Sequence, residues 1–483
     1  MANNDAHIPH VLLFPNPQPG HINPFLDLAE LLCLTGLHYV TFVTTTQIRH
    51  RLIHHSNVIS RFSGYPGFRL VGISDGLGPE DPLRNVKNVI ETYRTMYTIV
   101  KDGMRRMLAS GELGGGVGGD RPPVSCFIDD GCVEFLVDVA EEFRIPFVAF
   151  HTSSAAITWF TFCVPELVRA GKMPFVGDDD DKIYAIEGLE DLLRIKDIQS
   201  LTGEVWELFV SALIRHQQAK MIIFNTFEDL EAPFLSYIRT KCPRAYAIGP
   251  LHTHLASRTS SNSSDHSSQA SSLGILPQDR SCLTWLDAQP TKSVIYISFG
   301  SQAVLKSEEL LELWHGIIDS GKKFLWVMRE RLEEGNQLIN QKHLIEKVLA
   351  EGRGYIVPLA PQKQVLAHPA IGSFLTHCGW NSTLECLVSS VPMICWPHGG
   401  DQPLNGRYVS EVLKLGVYLK DYECERGVIA RVVSEVMEQR KDELCAAAAL
   451  MAAACRGAVS EGGSSYKDFN RLVDFICSLA PQS

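Results

Sequence analysis

The sequence predicts an α/β protein built from two doubly wound parallel-sheet domains that face each other across a cleft. Strand-sized apolar runs alternate with longer helical patterns, and the runs are apolar at successive positions, as in strands covered on both faces. The alternation stops once, at a Ser-rich stretch, and then restarts, which indicates two domains joined by a connector.

The first 252 residues contain the elements of one such domain. Strands are predicted at 10–14, 39–44, 68–73, 124–128, 147–150 and 221–225. Helical patterns occupy 24–34, 88–108 and 133–143. Because parallel strands need long crossover connections, this order of elements predicts a parallel sheet.

Residues 253–272 are rich in Ser and Thr and almost free of large apolar side chains. Such a segment cannot bury enough surface to offset its ordering entropy, so we predict a flexible connector over 253–280. Strands resume at 294–299, 324–328, 355–358, 371–376 and 392–396. The second domain is therefore predicted over 281–462, and ligands are expected at the carboxyl ends of the strands, in the cleft.

Composition excludes several classes of protein. Lys and Arg number 44 and Asp and Glu 55, and the formal charge of −11 argues against a nucleic-acid binder. The 13 cysteines are scattered and form no CxxC pair, so neither a disulfide framework nor a zinc ribbon is predicted. A formal GxGxxG match at 114–119 follows a helical pattern and precedes two prolines, which argues against a nicotinamide-dependent oxidoreductase.

The amino terminus lacks the basic segment and the long apolar run of a signal peptide. The sequence also lacks an uncharged apolar stretch of about 18 residues, the length that a membrane helix needs. We therefore expect a cytoplasmic protein without a membrane span.

The segment Pro19-Gly20-His21-Ile22-Asn23-Pro24 joins the first strand to the first helix. Asn23 suits the N-cap and Pro24 the first helical position, which predicts that His21 lies just before the helix. The positive end of the helix dipole favours a neutral imidazole there. His21 is then a candidate general base near neutral pH, with a capping or core histidine as the alternative.

Asp129 and Asp130 end the strand predicted at 124–128, which brings carboxylates to the same sheet edge as His21. A carboxylate that accepts a hydrogen bond from the far imidazole nitrogen would fix the tautomer of His21 and stabilise its imidazolium. Capping of the next helix is an equally open interpretation.

The segment 359–402 combines groups that suit a nucleotide sugar. A strand enters the turn His377-Cys378-Gly379, and Asn381 and Ser382 can cap the helix that follows. Helix N-terminal amides beside a histidine suit a diphosphate. Glu385 can accept hydrogen bonds from ribose hydroxyls, and Asp401 with Gln402 offers acceptors and donors for a sugar. An ordinary βαβ unit is the alternative.

The segment 359–402 resembles the 44-residue donor-site signature of plant family 1 UDP-dependent glycosyltransferases, without insertion or deletion. The motifs PGHINP, FNTFEDLE and VIYISFGS extend the resemblance over nearly the whole chain. The resemblance implies the GT-B fold of two Rossmann-like domains. It also implies that 1–252 binds the acceptor, 281–462 binds the UDP-sugar, and the C-terminal helix within 463–483 crosses back to the first domain.

The resemblance also implies roles for single residues. His21 would deprotonate the acceptor, and Asp130 would orient it, while Asp129 stands where a small residue is more usual. Leu359 replaces the tryptophan that usually stacks on the uracil. The other implied contacts are Ala360 and Gln362 to the uracil, Glu385 to the ribose, Ser301, His377, Asn381 and Ser382 to the diphosphate, and Trp380, Asp401 and Gln402 to the sugar, with Gly379 in the turn.

These roles predict an inverting O-glucosyltransferase. Glucose is the predicted sugar because a glutamine at the last signature position is typical of glucose donors. UDP-glucose would be a co-substrate, and we expect no metal, no other cofactor, no nucleic-acid partner and a monomeric protein. The acceptor is predicted to be a small hydrophobic plant metabolite, a terpenoid in preference to a phenolic or flavonoid. Another UDP-sugar donor, and a non-catalytic metabolite binder, are the alternatives.

Overall fold

The computed structural model describes residues 8–37, 39–76, 89–116, 121–173, 175, 177, 181–190, 192–198, 204–260, 278–300, 305–328, 342–419 and 424–479. The chain divides into two compact units. The first consists of Met1–Pro174, Thr202–Leu276 and Gly457–Ser483, and the second of Phe175–Leu201 and Pro277–Arg456.

The sheet of the first unit is parallel, with the strand order β3-β2-β1-β4-β5-β6-β7. Its strands are β1 (His10–Phe14), β2 (Tyr39–Thr45), β3 (Phe68–Ile73), β4 (Cys126–Asp130), β5 (Phe147–His151), β6 (Met221–Phe224) and β7 (Ala245–Ala247). The helices of the chain up to residue 260 are α1 (Pro19–Leu34), α2 (Thr46–His55), α3 (Val58–Phe62), α4 (Val89–Ala109), α5 (Phe135–Phe143), α6 (Ala155–Arg169), α7 (Ile195–Ile198), α8 (Glu204–Arg215), α9 (Glu228–Lys241) and α10 (Leu251–Ser260).

Helices cover both faces of this sheet, which explains why its strands are apolar at successive positions. In β1, Val11 and Leu13 point into one core, and Leu12 and Phe14 point into the core on the opposite face. The strands β1, β4 and β5 have five residues each, and every one of these residues is buried. The predicted parallel sheet is confirmed, and the three-residue strand β7 was not predicted.

The second unit contains a parallel sheet with the order β10-β9-β8-β11-β12-β13. Its strands are β8 (Val294–Ser298), β9 (Lys323–Val327), β10 (Gly354–Val357), β11 (Ile371–Thr376), β12 (Met393–Cys395) and β13 (Gly416–Tyr418). The later helices are α11 (Ser281–Asp287), α12 (Ser307–Asp319), α13 (Lys342–Ala350), α14 (Gln362–Leu366), α15 (Trp380–Val388), α16 (Gln402–Arg407), α17 (Arg426–Ser434), α18 (Lys441–Val459) and α19 (Ser464–Ser478). The three-residue strand β13 was not predicted.

The first part of the predicted connector is helical. Residues 253–260 belong to α10, so the prediction of a flexible connector from residue 253 is wrong there, and 261–277 lie outside the described residues. Leu251 is buried in the same core as α1, and Leu255 packs against that core. Burial of these apolar side chains stabilises α10, although Ser and Thr dominate the sequence of the connector.

Two segments group with a unit that is distant from them in sequence. Phe175–Leu201 belongs to the second unit, although the predicted first domain included it. Gly457–Ser483 belongs to the first unit. There Phe469, Leu472 and Ile476 of α19 are fully buried in the core.

Among the described residues, the helical stretch Lys441–Ser478 is long and apolar enough to cross a membrane by length and composition. Within its most apolar 18 residues, 33% are buried inside the protein. The stretch consists of α18 and α19 with a short turn between them, where Gly462 has a φ of +81°. The expectation of no membrane span stays a prediction.

Candidate active site

The ends of β1 and β4 lie side by side at the centre of the first sheet. From this position the chain winds towards β2 and β3 on one side and towards β5 to β7 on the other. In a doubly wound sheet, the crevice at such a switch point is where ligands bind. His21 follows β1 and Asp130 ends β4, so both reach this crevice from separate parts of the sequence.

His21 and Asp130 form a hydrogen-bonded pair. Nδ1 of His21 lies 2.8 Å from Oδ2 of Asp130, and the two side chains are 21% and 1% exposed. Because a carboxylate only accepts hydrogen bonds, Nδ1 carries the proton, and the lone pair of a neutral His21 is on Nε2. The predicted pairing of a base with an orienting carboxylate is therefore present.

The backbone around the pair holds Asp130 in place. The amide of Asn16 donates to Oδ2 at 3.1 Å, and the amide of Cys132 donates to Oδ1 at 3.1 Å. Oγ1 of Thr152, just after β5, lies 3.0 Å from Nδ1 of His21. These contacts fix both the carboxylate and the imidazole ring.

The predicted position of His21 relative to its helix is wrong. Helix α1 begins at Pro19 with Gln18 as its N-cap, and Pro24 lies inside the helix. The amide of His21 donates to the carbonyl of Gln18 at 2.9 Å, so His21 belongs to the first turn. Pro19 suits the first helical position as well as Pro24 does, because neither has an amide to leave unsatisfied.

Asp129 and Asp130 point to opposite faces of the sheet, as neighbours in a strand must. Oδ2 of Asp129 lies 3.2 Å from Nε2 of His216, and both side chains are fully buried. Burial raises the pKa of Asp129, and the nearby His216 limits the rise. Neither aspartate caps α5, whose N-cap is Glu134. Of the two carboxylates, only Asp130 contacts His21.

In the second unit, β8 and β11 are the neighbours at the switch point. β11 leads into the turn at His377 and Cys378, where Cys378 has a φ of +65°. Gly379 is the N-cap of α15, so Asn381 and Ser382 lie in the first turn rather than at the predicted cap. This turn is where a helix presents amides without partners inside the helix, the arrangement that binds phosphates.

The ring of His377 is enclosed by glycine backbone. A Cβ at Gly300 or at Gly379 would lie 2.5 Å from Nε2 of His377, and Gly300 has a φ of +70°. Burial lowers the pKa of His377 to about 4, so the imidazole is neutral at physiological pH. His377 can therefore offer a hydrogen bond to a diphosphate but no full positive charge.

One predicted donor-site residue, Gln362, contacts two others. Nε2 of Gln362 donates to Oγ of Ser382 at 2.9 Å and to Oε2 of Glu385 at 2.8 Å. The hydroxyl of Tyr296, which sequence analysis missed, donates to Oε1 of Gln362 at 3.2 Å. The start of α14 and the first turns of α15 therefore meet, as binding of one nucleotide requires.

Of the predicted sugar contacts, Trp380 begins α15, whereas Asp401 and Gln402 lie at the start of α16. Asp401 is its N-cap, and Oε1 of Gln402 accepts the amide of His398 at 2.9 Å. That bond orients the amide group of Gln402, so its NH₂ is the end available to a ligand. Trp380 and Ala360 are buried, and Leu359 is half-buried. Ser301, also predicted to bind the diphosphate, lies outside the described residues.

Residues 273–442 match the family described as UDP-glucoronosyl and UDP-glucosyl transferase. A 7-deoxyloganetic acid glucosyltransferase from Catharanthus roseus is 44% identical over 490 aligned positions, which cover 99% of this chain and 100% of the relative. This chain belongs to the plant family 1 UDP-glycosyltransferases.

Two further comparisons agree with this assignment. A myricetin 3-O-rhamnoside 1,2-glucosyltransferase from Crocosmia x crocosmiiflora is 38% identical, covering 99% of this chain and 98% of the relative. The crystal structure of Os79 from O. sativa in complex with UDP has a TM-score of 0.78 at 28% identity, covering 97% of this chain and 100% of that one. The glycosyltransferase fold is GT-B, and the predicted family, fold and enzyme class are confirmed.

Several contacts around His21 of this glycosyltransferase were not predicted. Thr152 and Asn16 follow β5 and β1 at the same sheet edge as Asp130, so the rule that identified Asp130 could have identified them. The hydroxyl of Tyr97 accepts from Nδ2 of Asn16 at 3.2 Å and donates to the carbonyl of Cys132 at 3.2 Å. Burial raises the pKa of Tyr97 well above its ordinary value, which keeps the phenol protonated.

Proposed function

We propose that this glycosyltransferase is an inverting, UDP-glucose-dependent O-glucosyltransferase that acts on a small hydrophobic plant metabolite. The observation that carries the proposal is the 2.8 Å contact between His21 and Asp130 at the switch point of the first sheet. In this assignment the first domain binds the acceptor and the second binds UDP-glucose.

In the proposed reaction, Nε2 of His21 takes the proton of the acceptor hydroxyl. The acceptor oxygen forms a bond to the anomeric carbon as the bond from that carbon to the diphosphate oxygen breaks. Attack on the face opposite the leaving UDP inverts the configuration. Asp130 stabilises the imidazolium that forms and holds the tautomer that the base needs.

The proposed donor site uses the second unit. The first turn of α15 and the neutral His377 bind the diphosphate, Gln362 and Glu385 bind the nucleoside, and Asp401 with Gln402 binds the sugar. Amides at a helix N-terminus stabilise the charge that develops on the leaving diphosphate, which supports a reaction without a metal.

One cluster bears on the proposed independence from metal. Ligand atoms of His21, Asp130 and Cys132 lie within 4.8 Å of one another, as in sites that hold metal ions. Oδ2 of Asp130 already accepts hydrogen bonds from His21 and from the amide of Asn16. We expect dialysis against EDTA to leave turnover unchanged, whereas a need for added Mg²⁺ or Mn²⁺ would contradict this part of the proposal.

Glucose is the proposed donor sugar because Gln402 ends the signature and because both relatives above are named as glucosyltransferases. UDP-galactose, UDP-xylose and UDP-glucuronate are the alternatives that competition assays would test. A terpenoid acceptor is supported by the 44% identity to the enzyme named for 7-deoxyloganetic acid, against 38% for the enzyme named for a myricetin rhamnoside.

The deciding experiment incubates the full chain with UDP-glucose and a panel of terpenoid and phenolic acceptors, with product detection by mass and anomeric assignment by NMR. We expect β-linked glucosides from wild type and a loss of roughly 10²–10⁴-fold in His21→Ala. Retained turnover in His21→Ala would contradict the general-base role. A wild type that binds acceptors but forms no product with any UDP-sugar would favour the non-catalytic binder.

The chain is also proposed to be a cytoplasmic monomer without a membrane span. Buried apolar residues of α18 and α19 support the last point, because Leu444 and Ala452 of α18 and Phe469 of α19 are fully buried against protein. Fractionation of plant cells that express a tagged chain, with sedimentation of the purified protein, tests these proposals.

A further inference from the structure

A buried ion pair in the second unit joins two parts of the chain that are 210 residues apart. Nε of Arg407 donates to Oδ2 of Asp197 at 2.7 Å, and Nη2 donates to Oδ1 at 3.3 Å. The side chains of Arg407 and Asp197 are 0% and 2% exposed. Breaking such a pair leaves a buried charge without its partner, so both ends are held firmly.

Further contacts surround this pair. The guanidinium of Arg407 lies 4.1 Å from the ring centre of Tyr418, whose hydroxyl donates to Asp197 at 3.3 Å. Nη1 of Arg407 donates to Glu411 at 2.7 Å, and Arg194 donates to the same oxygen at 3.2 Å. The segment 181–198 is thereby attached to the donor-binding unit, although its sequence position is within the predicted acceptor domain.

Arg407 is the last residue of α16, and the proposed sugar contacts Asp401 and Gln402 are at its other end. Between them, Nδ2 of Asn405 donates to Oδ2 of Asp401 at 2.9 Å and to the carbonyl of Cys378 at 3.1 Å. A Cβ at Gly406 would lie 2.9 Å from the Tyr418 ring, so α16 packs closely on β13. A shift of Arg407 would therefore move the sugar end of α16 relative to the diphosphate turn.

We propose that Asp197 is a positioning residue for the donor sugar, acting through Arg407 and α16 on Asp401 and Gln402. The proposal rests on the proposed function, which assigns the sugar contacts to those two residues. Uracil, ribose and diphosphate are assigned to groups on α14, on the turn after β11 and on α15. A disturbed Asp197 should then weaken sugar contacts while leaving UDP contacts intact.

The test compares the affinities of the full chain for UDP-glucose and for UDP by isothermal titration calorimetry. In Asp197→Asn we expect the ratio of the UDP-glucose Kd to the UDP Kd to rise about tenfold, with the UDP Kd within about twofold of wild type. A purely structural role would change both constants together or lower only the melting temperature.

The matched control is Glu312→Gln, which breaks an arginine–carboxylate pair with Arg426 elsewhere in the second unit. We expect it to leave the ratio unchanged. If Asp197→Asn does not fold, Glu411→Gln decides, because Glu411 is 32% exposed and its loss removes one contact of Arg407. We expect Glu411→Gln to raise the ratio of the UDP-glucose Kd to the UDP Kd about threefold.

An unchanged ratio in folded Asp197→Asn, or in Glu411→Gln where Asp197→Asn does not fold, would overturn the proposal. A failure of the proposed function is distinguishable, because it would appear in wild type as an absence of UDP-glucose binding or transfer.

Discussion

Gly300 and His377 are so close that a Cβ on Gly300 would lie 2.5 Å from Nε2 of the imidazole. A side chain at position 300 must therefore displace the ring that faces the proposed diphosphate site. A Cβ on Gly379 would lie equally close to the same nitrogen, so both glycines leave room for the ring.

Gly300→Ala is expected to raise the Kd for UDP roughly tenfold, since displacement of His377 removes a charge-assisted hydrogen bond of about 1.5–3 kcal/mol, part of which the site can recover. The control is Gly352→Ala, because Gly352 has a φ of +69° and no atom near its would-be Cβ. Both variants carry the same backbone strain, so equal losses of UDP affinity would contradict the explanation. Calorimetric titration with UDP makes the comparison.

Asp130→Asn should lower kcat by roughly 10²-fold and leave the Kd for UDP unchanged. An asparagine can donate to Nδ1 and so favour the tautomer that carries its proton on Nε2. In that tautomer Nε2 has no lone pair to accept the proton of the acceptor hydroxyl. Rate measurements at saturating donor and acceptor, with UDP titrations of both proteins, provide the test. Asp129→Asn is a poor control, because Asp129 has its own buried partner in His216.

Leu359→Trp should lower the KM for UDP-glucose about 2- to 10-fold. The gain corresponds to roughly 0.5–1.5 kcal/mol from aromatic stacking on the uracil in place of an aliphatic contact. Leu359 is half-buried, so a larger ring has a route to solvent. Initial rates against UDP-glucose concentration measure the effect, and an unchanged or higher KM would mean that the pocket already compensates for leucine.

Glu231 should make the stability of the protein fall as pH rises. Its carboxylate accepts the amides of Ala155 and Ala156 at 3.0 Å, and burial raises its pKa from 4.5 to about 7. The native state therefore retains a proton that the unfolded chain releases, so the contribution of Glu231 to stability is greatest below pH 4.5 and decreases up to about pH 7. The full loss is about 3 kcal/mol.

Urea unfolding of wild type and Glu231→Gln at pH 5 and pH 8 isolates this effect. Buried histidines titrate in both proteins, so only the difference between the two pH dependences belongs to Glu231. We expect wild type to lose stability relative to the variant on going to pH 8. Parallel pH dependences would exclude the raised pKa.

Ligand-binding residues of a parallel sheet follow the carboxyl ends of its strands, and this explains which parts of the site the sequence could predict. His21 and Asp130 each follow a strand, so their meeting follows from strand order alone. The start of α1 was missed because Pro19 and Pro24 are both acceptable first residues. His216 and Asp197 could not be predicted as partners of Asp129 and Arg407, because no local pattern relates residues that far apart in the chain.

The position of α19 constrains the order in which the chain can fold during synthesis. Phe469, Leu472 and Ile476 are part of the same core as Val11 and Leu13, and the carboxylate of Asp468 accepts the amide of Ala247 at 3.1 Å. The ribosome makes these residues after the whole second unit. The first unit must therefore wait with an incomplete core while the second is translated, and a chaperone that shields exposed apolar surface would act during that interval.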